Sequence, residues 1–247
     1  MKFIKNIFIL LWRIWFYLLV VFTILPLLPL LAILTAKEKY YTSFCKIANA
    51  WGKTMLFLMG FSVEIEKEEA LIPGKSYMLS ANHTSMIDIM LMFAIMKNNP
   101  FVFVGKVELA KLPVLGYVYK RTMILVDRAS AASRKDVFEQ ANKRIALGRS
   151  VCIFPEGEVP SDESLVLTNF KNGAFILAIE HQIPIVPISF YDNKKHFSYT
   201  FFSGGPGKLR VKFHKPISTE GMTVKEDKNI LKKKVYDILY QDLVNKK

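Results

Sequence analysis

The sequence predicts an α/β fold: a single layered domain with a mixed sheet flanked by helices, preceded by an N-terminal hydrophobic, membrane-anchoring helical segment. Three observations carry this reading. From Phe61 onward short β-type runs alternate with helical ones. Ahead of them, Ile14 to Ala36 contains no charged residue. The 247 residues suffice for one domain with a full hydrophobic core and would crowd a second. The expected boundaries are an anchoring segment over 1–60 and a globular domain over 61–247.

Ile14 to Ala36 meets the length of about 20 apolar residues needed to cross a bilayer core. Trp12, Trp15 and Tyr17 cluster near one end, where amphipathic rings prefer the interface, and Arg13 can snorkel to the same level. Pro26 and Pro29 each remove a helix hydrogen bond, so a straight spanning helix and a kinked or re-entrant pair both stay open. A cleaved signal peptide is opposed by the length of the run and the lack of a small-residue cleavage site. Lys39 to Met59 then sets Tyr41, Phe44, Ala48, Trp51, Met55 and Leu58 at spacings of three and four, an amphipathic helix suited to a membrane surface or the underside of a domain.

Within the domain, the strands expected are Phe61 to Glu66, Tyr77 to Ser80, Phe101 to Val104, Met123 to Val126, Val151 to Phe154, Ile185 to Phe190 and Leu209 to Phe213. The helices expected are Met86 to Met96, Ser133 to Leu147, Lys171 to Glu180 and Lys225 to Val244. Ser203 to Gly207 reads as a turn between two strands, since it lacks the Lys-Ser/Thr ending of a nucleotide-binding loop.

Composition narrows the function. Apolar residues make up 51% of the chain, with the excess at the amino end, and the net charge is +13. Residues 1–60 carry Lys2, Lys5, Arg13, Lys37, Lys39, Lys46 and Lys53 against Glu38 alone, which suits an anionic membrane surface. No finger, helix-turn-helix or aromatic-basic RNA signature is present, so no nucleic-acid partner is expected. Cys45 and Cys152 form neither a zinc motif nor a disulfide framework, which points to a reduced, cytoplasmic-side compartment. His83, His181, His196 and His214 lack close ligand spacings, so no metal is expected.

Chemistry concentrates where strand-like runs end. In Ser80-Ala-Asn-His-Thr-Ser-Met-Ile-Asp88, His83 and Asp88 are five apart, about 140° around a continuous helix at roughly 100° per residue. A direct pair therefore requires His83 to lie off the helix. Ser85 as N-cap would do that, with Asp88 at the third helical position and His83 on the preceding loop. Such a pair suits general-base attack by an alcohol, because imidazole titrates near neutrality and a carboxylate fixes its tautomer. Phe154-Pro-Glu-Gly157, Val126-Asp-Arg128 and Gly105-Lys106 close three further strand-like runs. Lys106 and Arg128 are thus candidates for a phosphate, and Glu156 for a substrate hydroxyl, in one crevice.

These blocks resemble the glycerophospholipid acyltransferase family, whose best-known members are 1-acyl-glycerol-3-phosphate acyltransferases. Asn82-His83-Thr-Ser-Met-Ile-Asp88 matches the family's His-x4-Asp box, which implies His83 as catalytic base and Asp88 as its orienting partner. Ile124 to Arg128 resembles the second block and implies Arg128 in binding the acceptor phosphate; Lys106 lies where such enzymes often have another basic residue. Phe154 to Gly157 matches the third and implies Glu156 and Gly157 in acceptor binding; Ile183 to Ile188 matches the fourth, led in by Phe170 to Ala174. The resemblance implies phosphatidic acid synthesis in phospholipid biosynthesis, from a lysophospholipid acceptor and an acyl thioester donor. It implies no cofactor beyond that donor, acyl-CoA or acyl-carrier-protein, with the carrier protein as a partner in the second case. The catalytic domain, 61–247, would then lie on the cytoplasmic side of a membrane. Two departures stand out. Glu158-Val159-Pro160-Ser161 replaces the common Thr-Arg-Ser, and Lys120-Arg121-Thr122 lacks the glycine usual ahead of the second block. Arg121 and Lys171 are the candidates to supply the missing charge.

Overall fold

The computed structural model describes residues 2–112, 115–127, 129–160, 162 and 164–246. Eight α-helices and seven β-strands occur among them. They divide into two compact units, Met1–Glu66 with Thr84–Lys97 and Phe190–Val211, and Lys67–His83 with Asn98–Ser189 and Lys212–Lys247. The chain crosses between the units five times, inside β1 (Phe61–Lys67), β6 (Ile185–Phe190) and β7 (Gly207–Phe213), between His83 and Thr84, and between Lys97 and Asn98.

The first unit is built on a helical hairpin. α1 (Lys2–Ala36) runs unbroken through Pro26 and Pro29. At 1.5 Å per residue it is about 50 Å long, and Phe3–Ala36 is long and apolar enough to cross a membrane by length and composition. α2 (Tyr41–Leu58) returns along it, because Trp51 Nε1 donates to Thr23 Oγ1 at 2.8 Å, while the indoles of Trp15 and Trp12 donate to the carbonyls of Leu58 and Met59, each at 3.1 Å. The amphipathic face is rotated from the expected one. Tyr41, Phe44, Ala48 and Met55 are buried as expected, but Leu58 is exposed, and Cys45, Asn49, Gly52 and Leu56 complete the buried stripe.

That stripe packs on α3 (Ile87–Ile95). A Cβ on Gly52 would come within 2.6 Å of the Met90 carbonyl oxygen, so the two helices approach as closely as they do only over glycine. Asn49 Nδ2 donates to the carbonyls of Phe93 and Ala94 at 2.7 and 3.0 Å and so satisfies open acceptors at the end of α3. The unit also holds α7 (Asn193–Phe197), the first residues of β7, and β1 as far as Glu66.

The second unit holds most of the sheet. Its strands follow the order β6-β2-β5-β3-β4, with β2 (Met78–Ala81), β3 (Phe101–Lys106), β4 (Ile124–Val126) and β5 (Ser150–Ile153). All four adjacent pairs are parallel. Ile185 and Ile217 pair antiparallel, which makes the sheet mixed as expected. α4 (Leu115–Thr122), α5 (Ala131–Ala146), α6 (Gly173–Glu180) and α8 (Val224–Asn245) complete the unit. α5 packs on β4 and β5, and α6 on β2 and α8. The central strands are buried on both faces, as continuous runs such as Val151-Cys-Ile require.

All seven expected strands and all four expected domain helices are present, within a few residues at each end. α4 and α7 were not foreseen, being too short for a periodic signal to separate from loop. Ser203 to Gly207 accordingly joins α7 to β7 instead of joining two strands.

Candidate active site

Parallel pairing puts the C-terminal ends of β2, β5, β3 and β4 at one end of the sheet, where α/β sheets present ligand groups. The residues that leave those ends are His83 after β2, Phe154 to Gly157 after β5, Lys106 closing β3, and Asp127 after β4. Arg128 lies outside the described residues.

His83 is held twice. Its ring stacks on Phe154, with centroids 4.2 Å apart and planes 14° from parallel. Its backbone N–H donates to Glu156 Oε1 at 2.9 Å. The other oxygen of that carboxylate, Oε2, accepts from the N–H and the hydroxyl of Thr168 at 2.8 and 3.0 Å. Glu156 is 2% exposed, and burial pushes its carboxyl pKa up against the opposing pull of these hydrogen bonds. The carboxylate is thus built into the frame around His83 and Thr168.

The turn that carries Glu156 is fixed by its own chemistry. Gly157 sits at φ +84°, in the left-handed region, and returns its N–H to the Phe154 carbonyl at 3.0 Å. The N–H of Lys171, just ahead of α6, donates to the Pro155 carbonyl at 2.7 Å. Lys106 and Lys171 are exposed, while the Arg121 guanidinium lies over the Tyr117 ring at 4.1 Å.

Asp88 belongs to the other unit and is 0% exposed. Oδ2 accepts from the N–H groups of Thr84 and Ser85 at 2.8 and 2.9 Å, and Oδ1 accepts from Asn193 Nδ2 at 2.7 Å. Met86, not Ser85, is the capping position, so Asp88 is the second helical residue instead of the third. Ser85 still caps in effect: its hydroxyl accepts the Ile87 N–H at 3.2 Å and donates to the Phe197 carbonyl at 2.5 Å. Asp192, the residue before Asn193, takes a two-pronged bond from Arg210 at 2.8 and 2.7 Å.

Sequence reasoning missed Thr168, Asn193 and Phe197. Each acts through a contact 12 to 112 positions away in the chain, and no local pattern marks it.

The comparisons with known proteins decide the family. A family model described as Acyltransferase matches residues 62–191, more than half of the chain. The chain belongs to the acyltransferase family. It is 31% identical over 174 residues to mouse 1-acyl-sn-glycerol-3-phosphate acyltransferase alpha, covering 68% of this chain and 59% of that one. The Saccharomyces cerevisiae 1-acyl-sn-glycerol-3-phosphate acyltransferase is 30% identical over 178 residues, covering 71% and 58%. An uncharacterized acyltransferase of Schizosaccharomyces pombe is 30% identical over 178 residues, covering 70% and 63%. The chain therefore spans about six tenths of the length of these curated relatives. Its fold is that of a solved structure, the 1-acyl-sn-glycerophosphate acyltransferase PlsC of Thermotoga maritima, at a TM-score of 0.78 and 22% identity over 99% of this chain and 97% of that one.

Proposed function

We propose that this acyltransferase moves a fatty acyl group from a thioester to the free hydroxyl of 1-acyl-glycerol-3-phosphate, giving phosphatidic acid. The observation that carries the chemistry is the fixed imidazole. His83 is clamped by backbone and by ring at the end of a central strand, which is how a general base is held ready without a protein nucleophile.

In this mechanism His83 removes the proton from the acceptor hydroxyl as its oxygen attacks the thioester carbonyl. The tetrahedral intermediate collapses, the C–S bond breaks, and the imidazolium returns the proton to the departing thiolate. The products are an ester and a free thiol, either coenzyme A or the carrier protein, and no other cofactor takes part. Asp88 is assigned to orient the imidazole and to support its charged form, on the His-x4-Asp spacing and the buried frame that holds its carboxylate. Lys106 and Arg128 are assigned to the acceptor phosphate, and the Glu156–Gly157 turn to the shape of the acceptor site. The chain acts from the membrane that supplies its lipid substrate, with α1 as anchor and the catalytic residues on the cytoplasmic side. Support for the anchor is the apolar length of α1 and the exposure of Phe3, Phe8, Leu11 and Phe22 along it.

A second reading, an acyltransferase acting on glycerol-3-phosphate or on an amino-acid lysolipid, is favoured by Glu158-Val159-Pro160 in place of a cationic stretch. One assay separates the two. The purified full chain is given lysophosphatidic acid, glycerol-3-phosphate and an amino-acid lysolipid, each with a CoA and a carrier-protein thioester. Turnover to phosphatidic acid in excess over the other products supports the proposal; preferred acylation of another acceptor overturns it.

A further inference from the structure

The inward stripe of α8 is Leu231, Val235, Leu239 and Leu243, spaced by four and buried. One position further along, Lys232, Tyr236 and Tyr240 repeat the spacing and form a second row beside it. That row meets residues 168–172, the strap that leads from the Glu156 turn into α6. Lys232 Nζ donates to Asn172 Oδ1 at 2.9 Å. The Tyr236 ring meets Phe170 edge-on, with centroids 5.0 Å apart and planes at 71°. Tyr240 stacks on Tyr236 at 5.8 Å with planes 11° from parallel, and Phe170 stacks on the fully buried Phe175 at 6.2 Å. Core packing accounts for Phe170 and Phe175, but the row of rings carries on to Tyr240, which is 42% exposed and gains little from burial.

The strap is what fixes Glu156. Thr168 donates twice to Oε2, at 2.8 and 3.0 Å, and the Lys171 N–H donates to the Pro155 carbonyl at 2.7 Å. Oε1 accepts the His83 N–H at 2.9 Å. Between the Tyr236 ring and the His83 backbone therefore lie Phe170, Thr168 two residues before it, and one carboxylate. The Glu156 charge is close enough to add to the rise in the Tyr236 hydroxyl pKa, behind burial and Tyr240. All of these residues belong to the second unit.

We infer that Tyr236, backed by Tyr240, is a positioning residue: it holds Phe170 and, through the strap, sets the Glu156 carboxylate that holds the His83 segment. The inference rests on the reading of His83 as the base, and two readouts on the full chain in detergent keep the two apart. One is amide hydrogen exchange over the peptides that carry His83 and Thr168; the other is turnover with the acceptor the enzyme prefers. Tyr236→Ala should speed exchange at both places and lower turnover about 3- to 10-fold, the scale of one aromatic pair. Tyr236→Phe keeps the ring contacts and should restore both. Because Tyr236 acts through Glu156, the double variant Tyr236→Ala with Glu156→Gln should lose no more turnover than Glu156→Gln alone. Leu243→Ala, two turns further along α8, controls for general weakening of the helix and should lower the urea midpoint with turnover kept. Unchanged exchange or unchanged turnover in Tyr236→Ala overturns the inference, as do multiplied losses in the double variant or an equal loss of turnover in Leu243→Ala. Normal turnover in His83→Ala overturns the base instead, and exchange at His83 and Thr168 still decides whether Tyr236 holds the strap.

Discussion

The backbone N–H of His83 rests 2.9 Å from Oε1 of Glu156, a carboxylate 73 positions further along the chain. Both oxygens of Glu156 accept hydrogen bonds, from the His83 N–H and from Thr168, so the carboxylate holds the segment that carries His83. Glu156→Gln offers one acceptor oxygen where two are used, and turns an amide N–H toward one of the donors. Turnover should fall about 10- to 100-fold with acceptor KM near wild type, and stability by about 1–3 kcal/mol. A raised acceptor KM with unchanged turnover would instead mean that Glu156 contacts the acceptor.

His83→Ala should fold and stay membrane-bound while losing about 100-fold or more in turnover, the usual scale for a general base. Steady-state kinetics beside a circular dichroism spectrum check this. Near-normal turnover would sink the mechanism.

Asn193→Ala removes the side-chain donor to Oδ1 of Asp88 while leaving the two backbone donors to Oδ2 in place. A hydrogen bond to a charged group contributes about 1.5–3 kcal/mol, so a loss of unfolding free energy of that order, read from urea midpoints, is expected together with reduced turnover. A variant that loses neither would detach Asn193 from the site.

If Lys106 and Arg128 hold a phosphate, loss of either charge should lower acceptor efficiency about 10- to 150-fold and leave thioester use little changed. Arg128→Lys should be partly defective, because lysine lacks the planar two-pronged fit. Comparison with an acceptor that lacks phosphate is the control, and mutants indifferent to the phosphate would refute the assignment.

Acid stability has a predicted sign. The Lys212 hydrogen bond, helped by the Lys215 N–H and by His214, holds the Glu68 carboxyl down to about 2 against burial, from an ordinary value of 4.5. A depressed folded-state pKa contributes stability that is present above 4.5 and lost as pH falls toward 2. Glu156 has the opposite sign: its raised pKa favours the fold below 4.5 and loses that contribution as pH rises through the folded-state value. Urea midpoints measured across this range should show Glu68→Gln flattening the acid limb and Glu156→Gln leaving it in place. An unchanged acid limb in Glu68→Gln would reject the first assignment.

Much of this protein is legible locally. Val151-Cys-Ile and Ile185 to Phe190 are strands in sequence and in structure because a run of β-formers bounded by turn residues needs only its own neighbours to be recognised. The same holds for the loop that carries His83 ahead of the helix that carries Asp88, whose boundary lies within a residue or two of the one expected. What depended on packing was everything made across distance. Pro26 and Pro29 left the shape of the first segment open, and it is a single helix paired with α2 through Trp51 and Thr23. Arg13 reads as a snorkelling cation, yet its partners lie 185 to 190 positions away. Glu156 reads as a substrate ligand from its place in a turn, while its carboxylate bonds to Thr168 and to the His83 backbone. Periodicity and turn chemistry are properties of neighbouring residues and survive in the one-dimensional string. A hydrogen bond from Asn193 to Asp88 exists only once the intervening chain has folded and excluded water from both groups.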